Sequence, residues 1–407
     1  MAAFVYTMRL LRLSLQNFRN YVRLEEEMPA GVVLLVGGNA QGKTSFLEAI
    51  YYLATFASFH TRHDREMVYF DAPQWGVTAV GRIVAEFQRE GEARARRLEV
   101  RLILEANGNG GRRLRREVLL DGAKKKLTEA MGVFNAVLFL PQMTDVITGA
   151  PELRRRYLDM ALAQVHAGYA RHLSEYNQAL TRRNALLKQL NEQGGDVTQL
   201  DYWDERLAQH GAVLISARIQ ALRAWEKLAR ETHWALTRNT ENLRLLYMPS
   251  CNPAATGRLP MDEEHQALAE MPVEQIEAGF RQALHHMRVE AIARGVTTLG
   301  PHRDDFRFLD GRLDLGKYGS RGQVRTAMLS LKMAEMRWMK QHTGFRPVLL
   351  LDEILAELDA ARRADLQAHL ADSEQVFLTT TDIDLFDADF VKRSVVWELE
   401  QGRILRS

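Results

Sequence analysis

The segment Gly37-Gly38-Asn39-Ala40-Gln41-Gly42-Lys43-Thr44 constrains this chain more than any other. It has the spacing G-x-x-x-x-G-K-[ST], it follows the apolar run Val32–Val36, and an apolar-periodic stretch from Thr44 to Phe56 follows it. An apolar run of that length suits a strand buried on both faces, and the periodic stretch suits a helix. Strand, glycine-rich loop and helix in that order make a phosphate cradle, because the glycines let consecutive backbone N–H groups turn inward around an oxyanion. The helix N-terminus adds unpaired N–H groups and the positive end of its dipole. Lys43 would reach the β- and γ-phosphates of a nucleotide, and the Thr44 hydroxyl would hold Mg²⁺. The fold class that follows is α/β.

Two further segments extend the pattern. Pro347–Leu351 reads as a buried strand that puts Asp352 at its carboxyl end, beside a metal held by Thr44. Glu353 comes next, placed as general base for an attacking water. A carboxylate pair after an apolar run is also an ordinary strand end. Gly319-Ser320-Arg321-Gly322-Gln323 opens a helix that runs through Met336. Serine and glycine at a helix start make a second anion site, and the same residues make a plain N-cap.

Residues 8–145 alternate in β fashion apart from the helix after the loop. Met8–Leu15, Gly76–Leu120 and Ala136–Leu140 read as strands, with a hairpin turn at Asn109-Gly110-Gly111. Helical character starts at Pro151-Glu152, a first-turn signal. It runs from Leu153 to about Leu190, breaks at Gln193–Asp196 and resumes from Leu200 to about Thr240. Forty helical residues span about 60 Å, so the two stretches read as an antiparallel arm. A loop follows at Ser250–Pro260, then a helix at Val273–Arg294. Strands return at Val348–Leu351 and Val376–Thr381, and a terminal hairpin turns at Gln401-Gly402. The expected architecture is one α/β domain, residues 1–150 and 295–407, split by an inserted helical arm subdomain, residues 151–294.

Composition narrows the class. Hydrophobic residues are 46% and charged residues 26%, the mix of a chain that buries a sizeable core. The single cysteine, Cys251, excludes a disulfide framework and a cysteine zinc site and fits a reducing cytosol. No apolar run reaches the roughly 20 residues that span a bilayer. Arg9 and Arg12 interrupt the N-terminal apolar stretch, which reads against a signal peptide. The net charge of +2 decides nothing, but its distribution does. Gly91–Lys126 holds eleven basic and five acidic residues, and Asp352 to the C-terminus holds thirteen acidic and six basic. Arg112, Arg113, Arg115, Arg116, Lys124, Lys125 and Lys126 flank the expected hairpin, where they form either a sequence-independent contact to DNA phosphates or a solvated face. Arg154-Arg155-Arg156 opens the arm with the same two readings, its partners being phosphates or acids.

Together these loops resemble those of ABC-type P-loop ATPases. Ser320-Arg321-Gly322-Gln323 is similar to their signature loop in its Ser-x-Gly-Gln form, Ala356-Glu357-Leu358-Asp359 to the D-loop, and Gln142 to the Q-loop glutamine. Within that class the chain resembles the RecF family of bacterial DNA replication and repair ATPases, related to SMC heads. The likeness rests on Leu15–Tyr21, Gly149–Asp159, Gly300–Phe306 and the Asp-Glu-Ile-Leu-Ala-Glu-Leu-Asp run from Asp352, in addition to the loops. It implies an ABC-type (SMC-head-like) P-loop ATPase domain.

The resemblance also implies roles. Glu353, Gln142 and Lys43 are catalytic. ATP is held by Gly37, Gly38, Asn39, Ala40, Gln41, Gly42, Lys43, Thr44 and Ser45, with Arg19, Asn20 and Arg62 nearby. Thr44, Asp352 and Gln142 hold Mg²⁺. Ser320, Arg321, Gly322, Gln323 and Asp359 seal a second copy's nucleotide. Thr380 or Thr381 stands where transporter ATPases carry a switch histidine. The family picture is a slow cytoplasmic ATPase with no membrane association, whose ATP-closed homodimer grips double-stranded or gapped DNA. It works with RecR and RecO in loading RecA, and in the SOS response. A transporter subunit would show Leu-Ser-Gly-Gly-Gln and the switch histidine, which this chain lacks. A bridging SMC protein would need a far longer coiled-coil insertion, and an ABC-headed nuclease would need an acidic cluster outside these motifs.

Overall fold

A computed structural model describes residues 6–61, 63–72, 78–106, 112–253, 261–371 and 373–406. They form two compact units, 1–143 with 335–407, and 144–334.

In the first unit the apolar run becomes the strand Gly31–Val36 at the middle of a six-stranded sheet. Gln375–Thr380 pairs with it in parallel on one side and Val395–Glu400 on the other. Val348–Asp352 and then Ala136–Phe139 extend the sheet, again in parallel, and Arg403–Arg406 closes the opposite edge as the antiparallel arm of the terminal hairpin. Val348–Asp352, Gln375–Thr380 and Ala136–Phe139 are buried at every position, as strands of a parallel sheet covered on both faces must be. The helix Lys43–Thr55 lies on this sheet, with Phe46 against Phe377 and Trp397 at ring separations of 5.7 and 6.2 Å.

The other side of that helix meets a seven-stranded, mainly antiparallel sheet. Its long strands are Tyr6–Phe18, Tyr21–Glu27, Thr78–Arg89, Arg96–Ala106 and Arg112–Leu120. They alternate as the sequence predicts, with Leu13, Leu15, Ile83, Phe87, Leu98, Val100 and Leu102 buried on one face. The turn at Asn109-Gly110-Gly111 lies outside the described residues, and the pairing of Ala106 with Arg112 marks the hairpin it closes. Gln375 ties the two sheets together. Its side chain accepts from Leu10 N at 2.8 Å and donates to the Leu10 and Pro29 carbonyls at 2.9 and 2.8 Å.

The second unit differs from expectation in two ways. The single helix predicted from Leu153 to Leu190 is two, Pro151–Val165 and Tyr169–Gln193. Gly168, at φ +82°, makes the break, a conformation that costs a glycine little. The helix Leu200–Leu236 then runs back antiparallel to Tyr169–Gln193: Arg183 pairs with Asp204 at 2.6 Å and His172 with His210 at 3.1 Å. The second difference is the strand Leu243–Met248, which the sequence reading missed. It pairs antiparallel with Asp305–Asp310. That pairing gathers residues 295–334, expected in the α/β domain, into the same unit as the arm. The compact units therefore divide at 143/144 and 334/335, where the sequence placed the divisions at 150/151 and 294/295.

This unit also buries an ion network around Arg218, a residue no motif pointed to. Its guanidinium, 2% exposed, donates to both Asp159 oxygens at 2.8 and 3.0 Å and to the Pro301 carbonyl at 2.6 Å. Asp304 lies 3.7 Å from it and accepts from Tyr247 OH, from Ser250 N at 2.7 Å and from Ser250 Oγ at 2.9 Å. Arg154 grips Asp305 through two bonds of 2.6 and 3.0 Å. For Arg154, the acid partner of the two sequence readings is the one present. Among the described residues, no helix is long and apolar enough to cross a membrane.

Candidate functional site

The loop between Gly31–Val36 and Lys43–Thr55 forms one wall of a cavity of about 390 Å³. Gly42 turns the chain into the helix at φ +109°. A Cβ there would lie 2.7 Å from Asn20 Nδ2 and 3.0 Å from the Tyr21 hydroxyl, so both the backbone angle and the space call for glycine. Tyr21 OH donates to the Gly42 carbonyl at 3.0 Å and holds the turn from below.

Lys43 is buried, and its ammonium bends back over the loop. It donates to the Gly37 and Gly38 carbonyls at 2.6 and 2.9 Å and faces Glu353 Oε1 at 3.2 Å. Beside it, Thr44 Oγ1 donates to Asp352 Oδ1 at 3.1 Å, and Thr379 Oγ1 donates to the same oxygen at 2.7 Å. Glu353 N donates to Thr379 Oγ1 at 3.0 Å. The parallel register sets Thr379 directly across from Asp352. Burial pushes the Asp352 carboxyl above its ordinary range, and the two hydroxyl donors pull against that shift. A buried carboxylate beside a hydroxyl is a hard-oxygen pair of the kind Mg²⁺ takes alongside phosphate oxygens. The donors present fit that ion. Among the described residues there is no separate cluster of three or more His, Cys, Asp or Glu that could hold a metal.

This arrangement coincides with what the comparisons show. A model of the RecF/RecN/SMC N terminal domain family matches residues 9–398. The DNA replication and repair protein RecF of Herpetosiphon aurantiacus is 36% identical over 97% of this chain and 98% of its own length. That of Roseiflexus castenholzii is 37% identical over 98% and 99%. The chain belongs to the RecF family. A solved structure of the recombination mediator protein RecF with ATP, described within a RecFOR pathway, superposes on this RecF-family chain with a TM-score of 0.80. It is 29% identical and covers 99% of this chain and 100% of that one. The Smc head domain of Pyrococcus furiosus with an extended coiled coil matches at a TM-score of 0.50 and 15% identity, a likeness of fold alone. The ABC-type, SMC-head-like class expected from the loops is thereby shown.

The remaining sequence-predicted residues occupy varied positions. Arg19, Asn20, Gly38, Asn39, Ala40, Gln41 and Ser45 line the cavity with Lys43, Thr44 and Glu353. The Arg19 guanidinium is already engaged: it donates to both oxygens of buried Glu48 at 2.6 and 2.7 Å and to the Glu66 carbonyl at 3.1 Å. Asn20 Oδ1 is buried with no hydrogen-bond partner. Gln142, expected at the metal, is exposed in the turn Pro141–Thr144 and does not line the cavity. Thr380 Oγ1 is spent on the Asp382 carbonyl at 2.7 Å and Thr381 is exposed, so Thr379 is the threonine that reaches Asp352. Arg62 lies outside the described residues.

In the second unit Ser320 acts as the N-cap of the helix Arg321–Thr343. Gln323 N donates to Ser320 Oγ at 3.2 Å and Ser320 N to Gln323 Oε1 at 3.0 Å, a reciprocal capping box. Arg321 is exposed and Gly322 half-buried. Asp359, in the first unit, accepts from Arg362 N at 2.9 Å at the start of the helix Ala360–Ala371.

The basic hairpin is less free than its sequence promised. Arg115 is held by Glu117 and Glu105, Lys124 by Glu117 at 2.8 Å, and Arg116 reaches Asp64 at 3.0 Å and the Phe56 carbonyl at 3.3 Å. Arg112, Arg113, Lys125 and Lys126 are exposed. Sequence reasoning also passed over Glu66, Val68 and Phe70, which line the cavity opposite no recognisable motif. The short apolar run Met67-Val68-Tyr69-Phe70 between helix and strand carries no nucleotide-binding signature.

Proposed function

We propose that this chain is an ATP-driven switch of DNA repair and replication, hydrolysing Mg²⁺-ATP slowly to release a dimer closed on DNA. The observation that carries the reading is the chain of contacts Thr44–Asp352–Thr379–Glu353 beside Lys43. It brings together, at the mouth of one glycine loop, the lysine, the threonine–aspartate pair and the glutamate to which this reading assigns the roles of phosphate ligand, metal ligands and base.

ATP would displace Lys43 from the Gly37 and Gly38 carbonyls, the ammonium moving to the β- and γ-phosphates. That removes the cation from Glu353, whose carboxylate then takes the proton of a water attacking the γ-phosphorus as the bond to the β–γ bridging oxygen breaks. Thr44 and Asp352 would hold Mg²⁺, which would supply neutralisation of the phosphate charge. Gln142 joins this reading through the family resemblance. Thr379 positions Asp352 and the Glu353 backbone, which fits a role in sensing the γ-phosphate.

Ser320, Arg321, Gly322, Gln323 and Asp359 are assigned to a second copy's nucleotide, so that ATP is the adhesive of a homodimer. The Ser320 hydroxyl, spent as an N-cap in the lone chain, sits at a helix start whose N–H groups suit an anion. Arg112, Arg113, Lys125 and Lys126 are assigned to duplex or gapped DNA. RecR, RecO and RecA are the assigned partners, and the cytoplasm the assigned compartment, because the relatives are RecF proteins and one is described within a RecFOR pathway.

Size-exclusion chromatography of the Glu353→Gln variant with ATP and a gapped duplex tests the proposal. Blocked hydrolysis should yield a stable dimer that co-elutes with DNA, and adding Ser320→Arg should return it to a monomer that still binds ATP. A Glu353→Gln protein that stays monomeric and off DNA at saturating ATP ends the switch reading.

A further inference from the structure

The cavity that holds the phosphate loop has a second, chemically different wall. Phe70 lines it and is 75% exposed, although it is one of the largest apolar side chains in the chain. An isolated exposed apolar residue needs no explanation. This one stands in the same cavity as Gly38, Lys43 and Thr44, on a rigid support.

The support is explicit in the backbone. Phe18 and Val68 form a β-bridge, Arg19 N donates to the Met67 carbonyl at 2.7 Å, and Tyr69 N donates to the Asn17 carbonyl at 2.8 Å. Arg19 Nη1 adds a bond to the Glu66 carbonyl. Residues 66–69 are thereby locked to the turn that also carries Asn20, the side chain against Gly42. Ala72 N closes a turn onto the Tyr69 carbonyl at 3.0 Å, and Phe70 lies within that turn. The Tyr69 ring packs against the Phe70 ring at 5.1 Å and 47°, while Val68 is buried beneath. The backbone that carries Phe70 is held on both sides, and most of the ring's surface is left to a ligand.

We propose that Phe70 is the base-stacking residue of the nucleotide site, and that it gives the site a preference for purine over pyrimidine triphosphates. This rests on the phosphate-loop reading above and specifies the other half of the ligand. A molecule filling this cavity must be polyanionic along Gly38–Thr44 and flat and apolar beside Phe70. A nucleoside triphosphate has both parts. Every base has a π-face, so stacking is indifferent to edge pattern and scales with ring area, and the two-ring purines gain more.

The test compares ATP, CTP and inorganic tripolyphosphate, titrated calorimetrically into the full chain and its Phe70→Ala, Phe70→Trp and Lys43→Ala variants. Phe70→Ala should weaken ATP about tenfold, erase most of the ATP-over-CTP preference and leave tripolyphosphate within about twofold. Phe70→Trp should keep ATP affinity, and its fluorescence should be quenched by ATP and not by tripolyphosphate. Phe70→Ala binding ATP as tightly as the parent overturns the proposal. So does equal loss of ATP and tripolyphosphate, which would make Phe70 a structural residue. A Lys43→Ala protein that binds both ligands like the parent would instead refute the phosphate-loop reading itself.

Discussion

The phosphate loop and the Arg218 network both gather charged groups in little space, and they treat those groups in opposite ways. Around Arg218 each charge is met within the network: two carboxylates, a proline carbonyl, two tyrosines and a serine close on one another out of water. At the loop the bonds are provisional. Lys43 rests on two backbone carbonyls and a half-exposed glutamate, Asp352 is shared by two hydroxyls, and Asn20 Oδ1 has no partner at all. A closed network holds a unit together, because removing one member strands the others in low dielectric. An open one stores binding capacity, because its donors exchange weak internal partners for a ligand. Both look alike in a composition table.

Breaking the closed network should have the larger effect. Arg218→Met leaves buried Asp304 and half-buried Asp159 without the guanidinium that faces them and should cost about 3 kcal/mol of stability, read as a lowered urea midpoint. A loss below about 1 kcal/mol would show that the network is no tighter than a surface pair. Opening the loop should act on binding instead. Lys43→Ala should weaken ATP on the order of a hundredfold, since charge-assisted bonds to phosphate are the strong ones, with a thermal midpoint within a few degrees of the parent. Lost stability without lost binding would reverse the contrast.

Glu99 tests an intermediate case. It accepts from Arg82 at 2.8 and 2.9 Å and from Arg101 at 2.6 Å. The Arg82 hydrogen bonds lead in pulling its carboxyl down to about 2 from 4.5. A depressed folded value stabilises the protein above the unfolded pKa, and that stabilisation is lost as pH falls from about 4.5 toward 2. Glu99→Gln should therefore cost about 1–2 kcal/mol at pH 7, and the gap from the parent should close as the pH is lowered to 3. A pH-independent gap would assign the loss to packing. The smallest effect belongs to Ser320. Ser320→Ala removes one cap and should cost about 1 kcal/mol or less in the lone chain, while abolishing any ATP-dependent dimer. If the dimer survives, the cap is all that Ser320 does.

The cradle was legible because it is local. Strand, loop and helix follow one another within Gly31–Thr55, Gly42 takes the left-handed turn into the helix, and Lys43 bonds carbonyls five and six residues back, although Asn20 and Tyr21 beside Gly42 and Asp352 beside Thr44 come from elsewhere in the chain. The helical arm was legible for the same reason, through its period, although a single residue in the left-handed region at Gly168 divided a helix that the pattern ran through. Asp352 was identified by the strand before it. The threonine that serves it was not: three threonines follow one another at 379–381, and only the parallel register of Gln375–Thr380 with Val348–Asp352 selects the first.

What the sequence by itself determined was the order of elements and the chemistry of the motif residues, since backbone propensity and a glycine-rich turn act over a few positions. Tertiary structure alone decided which groups meet across long spans of chain. It set Leu243–Met248 on Asp305–Asp310 and so moved a boundary, tied Arg116 to Asp64, tied Arg218 to Asp159 and Asp304, and stood Phe70 in the cavity of the phosphate loop. Each of these depends on partners remote in sequence, and no local pattern encodes the free energy of a contact whose other half lies elsewhere.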